Sequence, residues 1–543
     1  MSTGELHALG QPDPHWPSRE AEEDYAVRRV PLHWRRRWGS LVSVSLGIGT
    51  AMAFMQVGAV LALTFGTLNA AIAELYATLM AGAIGLVMAR KAGTTGLGSY
   101  LLSRGAGYGF AGAAVTSFIY SLNYIALAAI EGAIMSGALH SYFPAVPIQI
   151  FYLISGAILL PLGWRGVARL AKVESYTVPV YFLLVLLALV LAATGHGTKI
   201  AAWWAYLPAQ AKVGGAALVA AVGIVNGLTG ITGIFVAEYA RLARPSEVRG
   251  FSGLLLGTAP ALAGFLFSGF VGIFLGVHTL QANPGVFMVG LLGTLGVLFV
   301  VLTQLRINVL NVYFASLTLA TFFGRVLRFA PGRNFWSVVA VAIAVALMFL
   351  SVLQQIGPLL TFLGVFQFAW ASSLLVDLLL VHPRLLGTTE VEHRRAMLPE
   401  WNWTGVIALG VGSGVGAVLA FGALGPLWSS LSAFVAGALA ALLHGGLAYV
   451  TRARGYRRST SAHPRPNAEQ FAARPEWERK VAWASGHAEP TYLCGACRGL
   501  FVIEDMVHCP HEEKALCSSC CGTNSQCGAL CQRELEAVAS SLR

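Results

Sequence analysis

From Trp38 to Val450 the chain alternates between long apolar runs and short polar stretches marked by arginine. Runs of about twenty apolar residues or more are long enough to cross the hydrocarbon core of a bilayer. They fall at 40–65, 68–89, 108–139, 147–164, 174–194, 213–240, 250–277, 287–324, 335–353, 357–381, 403–423 and 428–450. The pattern predicts about twelve membrane-spanning helices. The 287–324 run is too long for one straight span and has to tilt or break. Residues 221–241, AVGIVNGLTGITGIFVAEYAR, carry Gly223, Gly227, Gly230 and Gly233. Glycine inside a helix costs about 1 kcal/mol against alanine. Two physical reasons fit: close helix packing through small residues, or an opened backbone whose freed groups face a ligand or a wet cavity. The expectation carried forward is an opening near Gly227–Gly233.

Composition agrees with the membrane reading. The 543 residues are 56% hydrophobic and only 11% charged, where soluble proteins have about a quarter charged. The net charge of +11 does not point to nucleic acid, because the basic residues cluster at the ends of apolar runs. With twelve spans, Arg90, Lys91, Arg104, Arg165, Arg169, Lys172, Arg241, Arg244, Arg249, Arg325, Arg328, Arg333, Arg384, Arg394, Arg395, Arg452, Arg454, Arg457 and Arg458 share the side of the N-terminal arm. The opposite side holds little beyond Lys199 and Lys212. Cytoplasmic loops carry the excess of basic residues, so both termini are expected in the cytoplasm. Residues 1–38 contain no signal-peptide pattern and read as a solvated arm with Trp38 at headgroup level. Residues 39–450 form the membrane domain and 451–490 a Pro- and Arg-rich linker; 491–543 form a small Cys-rich module.

All eight cysteines lie in that last module, as Cys494-x2-Cys497-x11-Cys509-x7-Cys517-x2-Cys520-Cys521-x5-Cys527-x3-Cys531. Paired Cys-x2-Cys turns present thiolates at the separation tetrahedral zinc requires, and a reducing cytoplasm disfavours disulfides. Two zinc ions are expected, with His508 or His511 able to replace a thiolate; a redox-active or iron–sulfur cluster is the alternative. Metal would supply the folding energy that so small a module lacks.

Four stretches together resemble the nucleobase–cation symporter-1 family of cytosine, purine and hydantoin permeases. They are Asp24-Tyr25…Arg29-Val30-Pro31, Gly93-Thr94-Thr95-Gly96-Leu97…Leu101-Leu102-Ser103-Arg104-Gly105, Glu238-Tyr239-Ala240-Arg241, and Leu360-Thr361-Phe362-Leu363…Asp377-Leu378-Leu379-Leu380-Val381. The similarity runs in order over about residues 24–450. It implies an all-α fold of the leucine-transporter type, with two five-helix repeats of inverted topology and two further helices. Helices one and six would be unwound at the solute site, completed by helices three, eight and ten. Gly47-Ile48-Gly49-Thr50 supplies a weak point in helix one. The stretch Leu516-Cys517-Ser518-Ser519-Cys520-Cys521…Cys527…Cys531 resembles a Cys-rich module attached to permease-like domains in bacterial sensor proteins, which implies a bacterial plasma membrane. No kinase motif precedes Arg543.

Lone polar residues in the apolar runs are the candidate chemistry. Asn123, Tyr124 and Glu131 lie in the third segment, with Asn123 and Glu131 on one helical face. A carboxyl inside a span is a functional candidate by default, and Glu131 suits a proton-coupled step. Gln304, Arg306, Asn308 and Asn311 interrupt the eighth segment. Sodium-coupled relatives use a hydroxyl pair there, so the sodium site is absent or remade. The Arg306 guanidinium can replace the cation's charge, bind an anionic solute, pair with Glu131, or snorkel to the interface. Met52, Met55 and Gln56, then Asn226, Gly227 and Thr229, then Phe366 and Gln367 complete the candidate lining.

These readings give a secondary transporter of a nucleobase-like or related small heterocycle, cation- or proton-coupled and working by alternating access. The rival is a permease-derived receptor that signals through the zinc module to a separate cytoplasmic protein. No nucleophile–base constellation or phosphate loop marks an enzyme.

Overall fold

The computed structural model describes residues 29–30, 35–163, 168–194, 203–327, 329, 331–456, 491–495, 500–502, 506–509 and 514–517. Among them, nine helices are long and apolar enough to cross a membrane, and one bent pair makes a tenth span. The bent pair is α1a (Trp38–Gly49) and α1b (Met52–Phe65), which meet at 46°. Then follow α2 (Thr67–Thr95), α3 (Ala114–Tyr142), α4 (Ile148–Gly163), α5 (Ala168–Thr194), α6 (Gly215–Ala240) and α7 (Gly250–Thr279). The series closes with α8 (Thr294–Val326), α9 (Arg333–Phe349), α10 (Ile356–Leu385), α11 (Trp403–Ala420) and α12 (Pro426–Val450). The shorter apolar helices α4 and α9 stand where the fourth and ninth spans were expected.

Local sequence sets several of these boundaries. The long 287–324 run does break: a short helix, Pro284–Leu292, is capped by the Asn283 side chain and ends at Gly293, whose φ of 56° suits glycine. The α8 helix then runs 33 residues, about 50 Å at 1.5 Å per residue, far more than the roughly 30 Å apolar core. Pro260 in α7 lacks an N–H to continue the ladder, and a π-helical turn, Leu262–Gly269, follows directly. A second π turn, Asp377–Leu385, ends α10 around Pro383.

Helices five places apart in order lie side by side: α1 against α6, α2 against α7, α3 against α8, and α4 against α9. That pairing is what two five-helix repeats would produce. The α10 and α12 helices close over α6. Large apolar side chains such as Leu79, Leu183 and Leu442 are exposed on the outer faces, as a lipid solvent allows.

Two expectations need correction. The α6 helix is continuous from Gly215 to Ala240 and does not unwind at Gly227–Gly233. Its glycines serve close approach. A Cβ on Gly227 would stand 2.3 Å from the Leu360 carbonyl of α10, and one on Gly233 would stand 2.6 Å from Ile84 of α2. The N-terminal arm is also not wholly solvated. Val30 and Arg35 are buried. Arg29 Nε donates to the Thr95 carbonyl at 2.8 Å, and Arg35 Nη1 to that of Gly93 at 2.6 Å. Cations suit the last carbonyls of a helix, where the macrodipole is negative.

The described part of the tail is two antiparallel hairpins, β1 (Thr491–Leu493) with β2 (Leu500–Val502) and β3 (Met506–Cys509) with β4 (Lys514–Cys517). The Gly495 N–H donates to the Ala515 carbonyl at 2.7 Å and ties the hairpins together.

Candidate solute site beside the broken first helix

The α1 helix breaks where Ala51 turns extended, at φ −62° and ψ 134°, just after Gly47–Thr50. A break inside a membrane bundle strands backbone groups that something must satisfy. Three other helices supply the partners. From α8, Arg306 Nη2 donates to the Gly47 carbonyl at 3.1 Å and to Thr50 Oγ1 at 2.7 Å. From α7, Ser268 Oγ donates to the Gly49 carbonyl at 3.1 Å. From α3, Glu131 Oε1 accepts from the Ala53 N–H at 3.0 Å. A guanidinium thus faces the negative C-terminal end of α1a, and a carboxyl faces the positive N-terminal end of α1b. These bonds set the Arg306 charge against the carbonyl end of the break, and the same charge bears on Glu131. Arg306 is buried and does not snorkel.

A second polar group centres on Gln367 of α10, fully buried. Its Nε2 donates to the Gly227 carbonyl at 2.6 Å, and its Oε1 accepts from the Ile231 N–H at 2.8 Å. Those two backbone groups are the i and i+4 partners that bond each other in an uninterrupted α-helix. The amide therefore sits on α6 at the point where opening was expected, although the helix keeps its course. Gln367 Nε2 also donates to Asn123 Oδ1 of α3 at 2.5 Å. Next to Asn123, Tyr124 stacks on Tyr120 and Phe314 with ring centroids 5.5 and 5.2 Å away, and meets Phe235 edge-on.

Eight residues separate Asn123 from Glu131 on one face of α3, about 12 Å. The two groups thus lie along one inward-facing strip. Several buried polar atoms nearby have no hydrogen-bond partner among the described residues: Gln56 Oε1 on α1b, Tyr124 OH, Asn226 Nδ2 and Asn308 Nδ2. Buried polar groups are nearly always paired, so these four atoms are donor and acceptor capacity held inside the bundle.

The remaining candidates divide. Asn311 Nδ2 donates to Asn308 Oδ1 at 3.2 Å, and Asn308 lies near Gly132, next to Glu131. The Thr303 hydroxyl contacts Met52 Sδ at 3.7 Å. Gln304 and the Arg306 charge both bear on Glu131. Thr229 bonds the Val225 carbonyl of its own helix at 2.9 Å and offers no free donor to a ligand. Met55 is buried where its backbone meets Gly272 of α7, a packing position. Phe366 is not brought to the group: it packs on Phe362, which stacks toward Phe421 at the far end of α11.

Sequence reasoning missed two features. Glu74 of α2 is fully buried, and its signal, a lone carboxyl in an apolar run, equals that of Glu131. The other is a hydrogen-bonded chain between the C-terminal halves of α10 and α12. Ser373 Oγ lies 2.7 Å from His444 Nδ1, and His444 Nε2 lies 2.9 Å from Asp377 Oδ2. Asp377 also accepts from Tyr456 OH at 2.5 Å and has His382 Nδ1 at 2.6 Å. The order of groups copies a hydrolase triad. Ser373 is wholly buried, however, and its hydroxyl accepts from Tyr108 OH at 2.8 Å, so it ties the ends of α10 and α12 to the 104–112 loop and presents no nucleophile to solvent.

In the tail, the Cys517 N–H donates to Cys494 Sγ at 3.2 Å, and both residues are buried. The bond joins Cys494, just after β1, to Cys517 at the end of β4, one residue from each hairpin. Cys509 ends β3, whereas Cys497, Cys520, Cys521, Cys527, Cys531 and His511 lie outside the described residues. Among the described residues no three metal-ligating side chains converge.

The arrangement defines a broken-helix membrane bundle with a polar strip on its axis. No protein-family model matches the chain, and no curated protein does. Solved structures match its fold. The inward-facing conformation of Mhp1 aligns with a TM-score of 0.62 at 15% identity, covering 81% of this chain and 97% of that one. Mhp1 in a closed conformation with bromovinylhydantoin bound, described as a nucleobase-cation-symport-1 family transporter, aligns at 0.59 and 16%, covering 80% and 98%. A substrate-bound, outward-open Na+-coupled sialic acid symporter aligns at 0.53 and 12%, covering 80% and 94%. The likeness is one of fold, that of the leucine-transporter type.

Proposed function

We propose that the protein is a secondary transporter of a small, flat, uncharged heterocycle of the nucleobase or hydantoin kind, working by alternating access. The observation that carries this reading is the Gln367 amide lying across Gly227 and Ile231, beside Asn123 and the Tyr124 stack. A ring with adjacent N–H and C=O groups presents the same donor–acceptor pair as that amide and has a flat face to lie against an aromatic side chain. Charge argues for a neutral solute: both half-helix ends of the α1 break already face protein charges, Arg306 and Glu131. The same pairing favours protons over sodium as the driving ion, because a fixed guanidinium stands where a cation would neutralise the carbonyl end.

The test is uptake of radiolabelled cytosine, uracil, hypoxanthine and allantoin into proteoliposomes, with proton and sodium gradients imposed separately. Uptake of one of them driven by a proton gradient and indifferent to sodium is expected. Failure of all four to bind or move would sink the reading.

A receptor reading keeps one specific observation in its favour. Arg394 Nη1, in the loop after α10, donates to the Met506 carbonyl of the Cys-rich tail at 3.3 Å. That loop also receives Arg104 Nη1 on the His393 carbonyl at 3.2 Å, so the tail touches a segment that packs on the loop between α2 and α3. On either reading the tail is a two-zinc module held by Cys494, Cys497, Cys509, Cys517, Cys520, Cys521, Cys527 and Cys531. Both termini are proposed to be cytoplasmic in a bacterial plasma membrane, with a cytoplasmic signalling protein as the receptor's partner.

A further inference from the structure

We propose that Glu74 is a proton-binding site in its own right, loaded in the conformation described here and emptied when α1b and α7 separate. Glu74 lies seven residues inside α2, about 10 Å from its end. It is fully buried, and neither carboxyl oxygen has a hydrogen-bond partner among the described residues. The carboxyl fills the space over Gly269, where a Cβ would stand 2.7 Å from Oε2. Gly269 closes the π turn of α7, and its carbonyl lies against α1b so tightly that a Cβ on Gly58 would be 2.1 Å away. Three helices therefore meet at one carboxyl, and two of them meet there through glycine.

The surrounding charges do not explain an ionised group. The α1b helix and the π turn contain no titratable residue. On α7, His278 lies nine residues beyond Gly269, its ring against Phe274. On α6, Glu238, Tyr239 and Arg241 sit at the opposite end; on α2 itself, Tyr76 bonds Asn226, and Arg90 and Lys91 are at the far end. The short helix Ser99–Ser103 adds Tyr100, the turn Pro245–Glu247 adds Glu247, and α10 adds Asp377 with His382 near its cytoplasmic end. Among the described residues no cation bears on the Glu74 carboxyl. An unpaired carboxylate in so dry a place is prohibitively costly, whereas a neutral acid is not. The O–H bond is thus intact here. When water reaches the carboxyl it breaks, leaving its electron pair on the oxygen and passing the proton to water.

Protonation rests on this geometry alone; its use in the cycle rests on the transport reading. Infrared spectra of the purified full chain, recorded through a pH titration, decide the first. A carboxylic C=O band that persists at neutral pH is expected, and Glu74→Gln should remove it whatever Glu131→Gln does. Gly269→Ala, which presses a methyl on the acid, should shift the same band without removing it. A spectrum unchanged by Glu74→Gln overturns the proposal. Proton release on adding hypoxanthine or allantoin, followed with a pH dye in weak buffer, decides the second. Glu74→Gln should abolish that release while binding, read separately by calorimetry, survives; undiminished release overturns the coupling role. If no solute binds the unaltered protein, the transport reading fails, and the infrared result still stands for Glu74.

Discussion

At the residue scale, Gln367, Arg306 and Glu392 each hold a backbone or a charge that would otherwise be stranded. Replacing Gln367 by Leu removes three amide hydrogen bonds, to Gly227, Ile231 and Asn123, and each is worth about 0.5–1.5 kcal/mol. Solute affinity measured by calorimetry should fall about tenfold or more in a protein that still folds, because Gly227 and Ile231 can then bond each other. Arg306→Ala should lose most uptake, and the unaltered protein should transport equally well in sodium or potassium buffers. Stimulation by sodium would contradict the role given to the guanidinium. Outside the spans, Glu392 is held by Arg394 through contacts of 2.8 and 2.5 Å. Burial alone would raise its carboxyl, but the Arg394 bond and charge outweigh burial and hold it down at about 2. A depressed carboxyl stabilises the fold above its ordinary value near 4.5 and loses that contribution as pH falls toward 2. The hydrogen-exchange protection factor of the Glu392–Arg394 loop, corrected for the intrinsic pH dependence of amide exchange, should therefore be constant through neutral pH and fall only in acid.

At the scale of elements, the first and sixth helices show what glycine can and cannot announce. Gly47-Ile48-Gly49-Thr50 marked a weak point in α1, and the helix bends there by 46°. Four glycines marked α6 equally well, and that helix runs straight through them. The difference lies in partners that sequence spacing does not display: Leu360 and Gln367 of α10 approach Gly227 and Gly230, distant in sequence by well over a hundred residues. Lone polar residues were more legible. Asn123, Glu131, Arg306 and Gln367 all turn inward, because in lipid a polar side chain has nowhere else to go. Glu74 carried that signal too. The aromatic Phe366 did not, since apolar residues suit lipid and core alike. A test at this scale is Gly227→Val, which forces a side chain onto the Leu360 carbonyl. Overpacking of this kind costs about 1–3 kcal/mol, so the thermal unfolding temperature in detergent should drop. An unchanged temperature would mean α6 and α10 are free to part.

For the whole molecule, the order of apolar runs carried the architecture, whereas the docking of arm and tail was not readable. Arg29 and Arg35 grip the end of α2, and Arg394 reaches the tail, through backbone carbonyls that every residue possesses alike. Metal analysis of the intact chain should find about two zinc ions per protein, and chelation should loosen the tail while leaving the helical signal in place. A metal-free protein with a protected tail would remove zinc from the picture. The Gln367 amide also bears on the cycle as a whole. A carrier whose own Gln367 amide caps the Gly227 and Ile231 backbone groups leaves none of that backbone exposed to hinder its return stroke. On the transport reading, cargo on the far side should then do little to hasten uptake, and preloaded vesicles should fill no faster than bare ones.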